Sequence, residues 1–425
     1  MREARMRLRL VKLAFALAAL GNANAWAGGT ALPLAGDMLF GLPREQTVRQ
    51  LLSQLPQLRI GAINNQLAGA EQAKLAAGPG EWVVRGGVSR RSVLDGDRYR
   101  EQELAVERSV RWFGKAEQDR AVGEKGMALA QAQRADAWHE AGRALMQDWY
   151  EALKAQATLE RLREQHALIK QLRSIAEVRV KAGDGARLEL MQADTELRRA
   201  DALIEQADQQ VQHALTLLAT NYPGLPAPQL AQVPDPQPMP LQRPEQLARI
   251  LDDNHELELA QVEAQWYGLK AKRAASERMP DPTIAIRAGR ERAGQERTIG
   301  LTLSMALPGG ARDAESSAAY IRSQMADERV AQVRTKVALA AQRAVTEQEY
   351  SYQVWTSLRA VEQQSDRQAR LMELGYKAGE YTLAEALLGR RLAMEAALAS
   401  QIARIAAVAA SARVQLDAHA LWAID

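Results

Sequence analysis

The 425-residue chain contains no cysteine and few aromatic residues, with three phenylalanines and an aromatic fraction of 5%. Without cysteine it has no disulfide scaffold, no thiolate metal site, no cysteine nucleophile and no lipid on an N-terminal cysteine. The scarcity of aromatic residues argues against a large aromatic core. Hydrophobic residues make up 47% and charged residues 25%, so the chain has enough apolar surface to fold.

The formal charge of +3 overstates how basic the folded chain is, because residues 1–27 hold five basic side chains and one acid. This segment continues into a short apolar run and the small-residue site Ala25-Trp26-Ala27, which is typical of a cleaved signal peptide. An uncleaved anchor is the alternative. Because of this segment we expect the protein to be exported. Its removal takes away a net charge of +4 and leaves the mature chain at 3 − 4 = −1, so we expect no nucleic-acid partner.

Proline is missing from residues 80–222 and 309–425, whereas eight of the fifteen prolines lie between Pro223 and Pro244. A proline inside a helix costs about 3 kcal/mol, so both proline-free stretches can form long helices. Helix-forming residues predict such helices over 114–182 and 311–378, each about 100 Å long at the usual rise per residue. The proline-rich residues 222–244 are the predicted linker between two halves.

The two halves resemble each other at their most distinctive strings. Gly183 and Gly379 end matching strings, Val-Lys-Ala-Gly and Tyr-Lys-Ala-Gly, at an offset of 196 residues. Six residues further on, each half has a glutamate, Glu189 and Glu385. Repetition at this distance indicates duplication of one structural unit rather than a short-period solenoid.

Each half is predicted to contain a helix, a β-hairpin, a long helix, a tip turn and a final helix. In the first half, residues 28–221, these are a helix at 44–77, a hairpin at 81–113, the long helix at 114–182, a turn near Gly183 and a helix at 186–221. In the second half, residues 245–425, they are a helix at 245–279, a hairpin at 283–307, the long helix at 311–378, a turn near Gly379 and a final helix. Two short helices stacked end to end match one long helix, so we expect a tube of antiparallel helices.

Residues 298–307 alternate between apolar and small or polar side chains, which is the period of a strand with one apolar face. The run has the ~10 residues that a tilted transmembrane strand needs. We assign its apolar face, toward lipid, to Ile299, Leu301, Leu303 and Met305. Four strands cannot close a barrel, so several chains must share one if the strands span a membrane. Two soluble hairpins packed on helices are the alternative.

This layout resembles the TolC family of outer-membrane channel proteins over nearly the whole mature chain. The most specific likeness is a tip motif of glycine, acid and small residue, present as Gly183, Glu189 and Ala193 and again as Gly379, Glu385 and Gly389. The resemblance implies a mainly α fold with a small β part. In it, a long-helix α-barrel tunnel continues into a trimeric 12-stranded transmembrane β-barrel, with four strands from each internally duplicated chain. The length and the absent lipid-anchoring cysteine are closer to the cation-efflux branch of the family.

The resemblance also implies a function and partners. The chain would be the exit duct of a tripartite efflux system in the outer membrane of a Gram-negative cell, with its helical tunnel in the periplasm. Its partners would be two further copies of itself, a periplasmic adaptor protein, an inner-membrane pump of the RND type and outer membrane lipid. An exit duct for type I protein secretion would share this fold. A soluble periplasmic coiled-coil scaffold is the alternative from another class.

The resemblance assigns roles at the tip. Gly183 and Gly379 would form the tip turns and contact the adaptor. Glu189 and Tyr376 would form the polar link that closes the mouth, a charge-assisted bond worth about 1.5–3 kcal/mol. Glu385 would join an acidic ring facing the lumen.

The sequence departs from the family pattern at two tip positions. Tyr381 stands where some members have a basic residue, and Leu388 stands where a second acid often lies. Both changes weaken the expectation that charges lock the closed mouth.

Patterns of catalysis and cofactor binding are missing from the sequence. It contains no Gly-x-Ser-x-Gly elbow and no phosphate-binding loop. No two of its histidines are four residues apart, so we expect all five to be solvated or packed rather than metal-bound; they are His139, His166, His213, His255 and His419. We therefore expect no enzyme, no cofactor and no metal site.

Overall fold

The computed structural model describes residues 40–423, and these residues belong to one compact unit. The predicted signal peptide at 1–27 lies outside the described residues. The described chain is 72% helical and has one four-stranded sheet. The prediction of a mainly α fold with a small β part is confirmed.

The same order of elements, two short helices, two strands, a long helix and a helix of 35 residues, occurs twice along the described chain. The first set is α1 (Glu45–Gln54), α2 (Pro56–Ala77), β1 (Trp82–Ser92), β2 (Arg98–Ser109), α3 (Lys115–Lys181) and α4 (Arg187–Asn221). The second set is α5 (Arg243–Asp252), α6 (His255–Ser276), β3 (Thr283–Glu291), β4 (Glu296–Ser304), α7 (Gly310–Ala378) and α8 (Leu383–Asp417).

The first helix of each half is interrupted, so the prediction of one continuous helix at 44–77 and at 245–279 was wrong. Between α1 and α2, Leu55 has an extended backbone (φ −62°, ψ 137°) because the proline that follows it disfavours the helical conformation. Between α5 and α6, Asn254 acts as an N-cap, since its side-chain oxygen accepts a hydrogen bond from the backbone N–H of Leu257 at 3.0 Å.

The two long helices, α3 with 67 residues and α7 with 69, are each about 100 Å long. Helices α2 and α4 both pack along α3, and α6 and α8 both pack along α7, as the matching lengths predicted. Helix α3 also packs against α6 and α8, which joins the halves. The largest apolar core lies midway along this bundle, around Leu145, Trp149, Leu153 and Ile405.

Helix α8 is the one helix in residues 40–423 that is long and apolar enough to cross a membrane by length and composition. It packs against α3 and α7 and buries a run of small and branched residues, among them Ala407, Val408, Ala412 and Val414. These contacts make α8 a core helix of the bundle.

The four strands form one antiparallel sheet in the order β1-β2-β3-β4. The two hairpins meet where β2 pairs with β3, with Val106 opposite Ile286. Strands β1 and β4 are the edges, and neither has a further strand beside it among the described residues.

Candidate functional site

One face of the sheet is apolar in every strand. Val84, Val106, Ile286 and Leu301 form a row across the four strands, because the register pairs each with the next. All four side chains are exposed, by 66%, 37%, 60% and 76% in that order. A second row contains Gly86, Leu104, Ala288 and Ile299. These two rows form one apolar patch of the kind that lipid or a partner covers, and polar side chains such as Arg108 and Gln102 flank it on the same face.

The proposed lipid-facing residues of the last strand lie largely on this surface. Ile299, Leu301 and Leu303 belong to β4 and are strongly exposed. Met305 follows the last residue of the strand, Ser304, and lies just outside it.

The opposite face is polar. Arg85 pairs with Glu107 at 2.6 Å and Arg91 with Glu101 at 2.9 Å between β1 and β2. Thr302 lies on the same face in β4, since it alternates with Leu301 and Leu303. A sheet with one apolar and one charged face separates lipid from water when it spans a membrane.

A buried lysine joins the sheet to the helices. The Nζ of Lys115, the first residue of α3, donates to the carbonyl of Met279 at 2.8 Å and to Asp281 Oδ1 at 2.7 Å, and the lysine is fully buried. Asp281 also accepts the backbone N–H of Trp112 at 2.9 Å. Burial raises the pKa of Asp281, but the hydrogen bonds from Lys115 and Trp112 outweigh it and leave the pKa below its usual value. No pattern in the sequence predicted this link.

Both tip glycines end long helices in the left-handed conformation. Gly183 has φ 79° and Gly379 has φ 83°. In each turn the amide after the glycine donates to the carbonyl five residues earlier, at 2.9 Å after Gly183 and 2.8 Å after Gly379. This is the Schellman motif, which explains why glycine is present at both positions.

Tyr376 lies at the centre of the tip, but the hydrogen bond proposed between it and Glu189 is not formed. The ring is fully buried in a small core with Leu172, Ala193 and Leu383, which come from three other helices. The Tyr376 hydroxyl and the Oε2 of Glu189 are both buried without a hydrogen-bond partner among the described residues. Burial, and after it the charge of Glu189, raises the pKa of Tyr376. The Glu189 carboxylate therefore lies near enough to Tyr376 to disfavour the ionised form of the tyrosine.

Arg179 makes a contact between the two tips that no pattern in the sequence predicted. Its guanidinium carbon lies 5.1 Å from the centre of the Tyr376 ring, a cation–π distance. Its Nη1 donates to the Tyr376 carbonyl at 3.5 Å, and its Nη2 donates to the Asp184 carbonyl at 3.4 Å. One arginine therefore contacts both tip turns.

Glu385 has a structural partner in its own helix. Its carboxylate accepts from the backbone N–H of Thr382 at 2.7 Å and from the Thr382 hydroxyl at 2.8 Å. The Thr382 Oγ1 accepts from the backbone N–H of Glu385 at 3.3 Å, so the pair is a capping box at the start of α8. The backbone hydrogen bond from Thr382 lowers the pKa of Glu385. The Thr-x-x-Glu spacing is a sequence signal that could have found this cap.

Ion pairs tie the two helices of each tip hairpin together. Arg173 of α3 donates to Asp194 of α4 at 2.6 Å. In the second hairpin, Arg390 of α8 donates to Glu373 of α7, which also accepts from Lys377 at 2.9 Å. Burial opposes ionisation of Glu373, but the hydrogen bonds from Arg390 and Lys377 outweigh it and lower its pKa.

No protein-family model matches the chain, and no curated protein sequence matches it. Solved structures do match. The outer membrane channel CmeC of Campylobacter jejuni has a TM-score of 0.72 at 14% identity, over 89% of this chain and 86% of that one. The outer membrane protein VceC of Vibrio cholerae has a TM-score of 0.73 at 14% identity, over 88% of this chain and 95% of that one.

A third match is the open state of the outer membrane channel MtrE of Neisseria gonorrhoeae, with a TM-score of 0.63 at 18% identity, over 88% of each chain. The chain has the fold of these outer membrane proteins. The mainly helical fold with a small four-stranded sheet, predicted from the TolC-family resemblance, is therefore confirmed for the single chain.

Among residues 40–423, no group of three or more histidine, aspartate or glutamate side chains has an arrangement that could hold a metal ion. His166 pairs with Asp201 at 3.0 Å on the surface. His139, His255 and His419 lie against one another, although more than 100 residues separate each from the next along the chain. No local pattern could have predicted that contact.

Proposed function

We propose that this chain is the outer-membrane exit duct of a tripartite efflux system, conducting substrates passively from an inner-membrane pump and a periplasmic adaptor to the outside. One observation carries the proposal: a four-stranded sheet with an apolar patch across all four strands and two open edges lies at one end of two helices of 67 and 69 residues. An open edge in lipid leaves backbone groups unsatisfied at several kcal/mol each, so the sheet needs neighbours.

Three copies satisfy this need. Strand β4 of one protomer would pair with β1 of the next, and twelve strands would close a barrel wide enough for water. The apolar rows would then face lipid and the ion pairs of Arg85 and Arg91 would face the lumen. In three copies, six long helices and six end-to-end pairs of shorter helices would continue the barrel as a periplasmic tunnel. The repeated order of elements supports an origin of the two halves by internal duplication.

The tips would form the periplasmic mouth of the tunnel. The turns at Gly183 and Gly379 would contact the adaptor, and an RND-type pump would lie beneath it. Glu189, Tyr376 and Glu385 would line or brace the mouth. The chain would need no cofactor and no catalysis, because the duct only conducts.

Extraction and mass measurement test the proposal. The mature protein should require detergent for extraction, and native mass spectrometry should give three chains per particle. In planar bilayers the particle should conduct ions. A monomer that stays in the soluble periplasmic fraction would instead identify a coiled-coil scaffold.

Deletion of the gene separates efflux from type I protein secretion. Loss of an efflux duct should sensitise cells to small toxic compounds or metal cations and leave the secreted proteins unchanged. Loss of one secreted protein without any sensitisation would favour the secretion duct.

A further inference from the structure

Three histidines meet at one end of α8. His139 comes from α3, His255 is the first residue of α6, and His419 lies in the turn after α8. The ring centres of His255 and His419 are 4.4 Å apart, those of His139 and His419 are 5.3 Å apart, and those of His139 and His255 are 5.8 Å apart. The Nδ1 of His255 and both ring nitrogens of His419 are buried without a hydrogen-bond partner in the described chain. We call these three residues the histidine cluster.

The histidine cluster holds the C-terminal turn, residues 418–423, to the rest of the molecule. His419 has φ 55°, so it ends α8 in the left-handed conformation that glycine usually provides. Trp422 follows it into the core, and its carbonyl accepts from the Trp138 Nε1 of α3 at 2.9 Å. The turn is therefore packed against α3 on one side and against the start of α6 on the other.

The negative charge next to the cluster is already satisfied. Asp417 lies 3.3 Å from the Nε2 of His139, accepts from Arg143 at 2.9 Å and accepts from Arg413 at 2.8 Å. Burial opposes its ionisation, but the hydrogen bond from His139 and the charges of Arg143 and Arg413 lower the pKa of Asp417 to about 2. With two arginines beside it, this carboxylate has little capacity to stabilise further positive charges.

Other ionisable groups surround the cluster on each packed element. They are Asp136, Glu140 and Arg143 on α3, Arg413 and Asp417 on α8, Asp253 before α6, Glu256 and Glu258 on α6, and Lys336 on α7, which binds Glu256. The acids among them attract protons to the site, yet burial and the two neighbouring histidines lower the pKa of His419 to about 4. Burial and the charge of His139 likewise lower the pKa of His255. Packing thus outweighs the nearby acids.

We propose that the histidine cluster is a pH-sensitive latch, which holds residues 418–423 against α3 and α6 while His255 and His419 are neutral and releases them when these two imidazoles are protonated. Imidazolium rings at centre distances of 4.4–5.8 Å repel one another, and the partial burial of His255 and His419 leaves their charge less well solvated than in water. A released turn would carry His419 into water, where the charged form is stable.

The direction of the effect follows from the protons bound in each state. A released histidine titrates near its ordinary pKa of 6.5, whereas His419 in the closed latch titrates near 4. Between these values the released state binds more protons, so acid favours release. The latch is fully closed above about pH 6.5 and weakens as the pH falls toward 4.

The absence of cysteine allows a single spin label on the turn. Ala420 is exposed, so Ala420→Cys can carry a nitroxide on the full-length protein in detergent. Electron paramagnetic resonance should show a mobile component that grows reversibly as the pH is lowered from 7.5 to 4.5. With two histidines of lowered pKa, the ratio of mobile to immobile label should change by up to about a hundredfold per pH unit. A spectrum that does not change over this range would overturn the proposal.

Variants identify the groups that titrate. The double variant His255→Gln with His419→Asn should remove the transition, and asparagine tolerates the left-handed backbone at position 419. His255→Phe alone keeps the ring contact and should reduce the steepness to about tenfold per pH unit. His166→Gln, a histidine outside the cluster, should leave the transition unchanged. The proposal is wrong if the labelled His255→Phe protein keeps the steepness of the parent, whether or not the double variant folds.

Discussion

At the residue scale, the sheet depends on which way a single side chain points, because neighbouring residues of a strand lie on opposite faces. Leu303 lies on the apolar face of β4, opposite Ile284, and Thr302 lies on the polar face, opposite Ala285. The same substitution at these adjacent positions therefore tests the membrane role without changing strand length or register.

We expect Leu303→Arg to reduce assembled protein in the outer membrane far more than Thr302→Arg does. A charge on the lipid face costs about 2–4 kcal/mol per chain at the bilayer midplane and less toward the interfaces, whereas a charge in a water-filled lumen is solvated. Quantification of heat-resistant oligomers in membrane fractions measures the difference. Equal amounts of both variants would contradict the assignment of the two faces.

Tyr376 allows a second residue-scale prediction, since its hydroxyl has no hydrogen-bond partner among residues 40–423 but its ring is fully buried. Tyr376→Phe should leave the free energy of unfolding nearly unchanged, because no hydrogen bond is lost. Tyr376→Ala should cost about 3–5 kcal/mol through the cavity it leaves. Thermal unfolding in detergent measures both variants. If the Tyr376 hydroxyl were hydrogen-bonded, the phenylalanine variant would also be destabilised.

Lys115 is the third residue whose environment makes a clear prediction. Lys115→Met should lower stability by about 3 kcal/mol, because it leaves the carboxylate of Asp281 partly buried without its cation. Lys336→Met removes a lysine of similar charge that is 68% exposed and should cost no more than about 1 kcal/mol. Chemical denaturation measures the free energy of unfolding of both variants. Equal losses would mean that the buried ion pair of Lys115 contributes no more to stability than the exposed one of Lys336.

At the element scale, the tip turns show how one backbone conformation ends a helix of 69 residues. Gly379→Ala should destabilise the turn by about 1–2 kcal/mol, since alanine must adopt the left-handed conformation there. Nothing lies within 4 Å of the added Cβ, so the cost is conformational rather than steric. Gly309→Ala is the matched control, because that residue has φ −143° and equally open space. Hydrogen exchange of the tip should rise in the first variant alone.

At the scale of the whole molecule, opening of the proposed mouth would require the two tip hairpins of a protomer to separate. Besides the small apolar core around Tyr376, Arg179 contacts both of them, through the ring and carbonyl of Tyr376 and the carbonyl of Asp184. The hairpins are also braced internally by Arg173 with Asp194 and by Arg390 with Glu373, so each can move as a unit.

Arg179→Met should therefore raise conductance in planar bilayers, whereas Glu189→Ala should have little effect because its predicted bond is not formed. A cation–π contact of this kind is worth about 0.5–2 kcal/mol, and three copies acting together shift a two-state mouth by several times that amount. Arg161→Met, further up the same helix, is the control for loss of charge. Increased conductance in Glu189→Ala but not in Arg179→Met would show that a bond between Glu189 and Tyr376 holds the mouth closed.

Properties that depend on neighbouring residues could be predicted from the sequence alone. The long helices predicted at 114–182 and 311–378 are present with 67 and 69 residues, the alternating runs form strands, and Gly183 and Gly379 lie at helix ends. Propensity and periodicity act over a few residues, so their signal survives without tertiary contacts. The helix break before Pro56 and the capping box at Thr382 also depend on neighbouring residues, so the sequence contained the signals needed to predict both.

Contacts between distant residues were decided only by the tertiary structure. Lys115 meets Asp281, Arg179 meets Tyr376, and three histidines converge, each across more than 100 residues of chain. No sequence spacing encodes such meetings, because they depend on how the two long helices are placed beside each other. Whether a polar side chain is buried, paired or left without a partner follows from that placement. The sequence by itself therefore determined the elements and their faces, and the packing of the two halves decided the chemistry at the sheet junction, the tips and the histidine cluster.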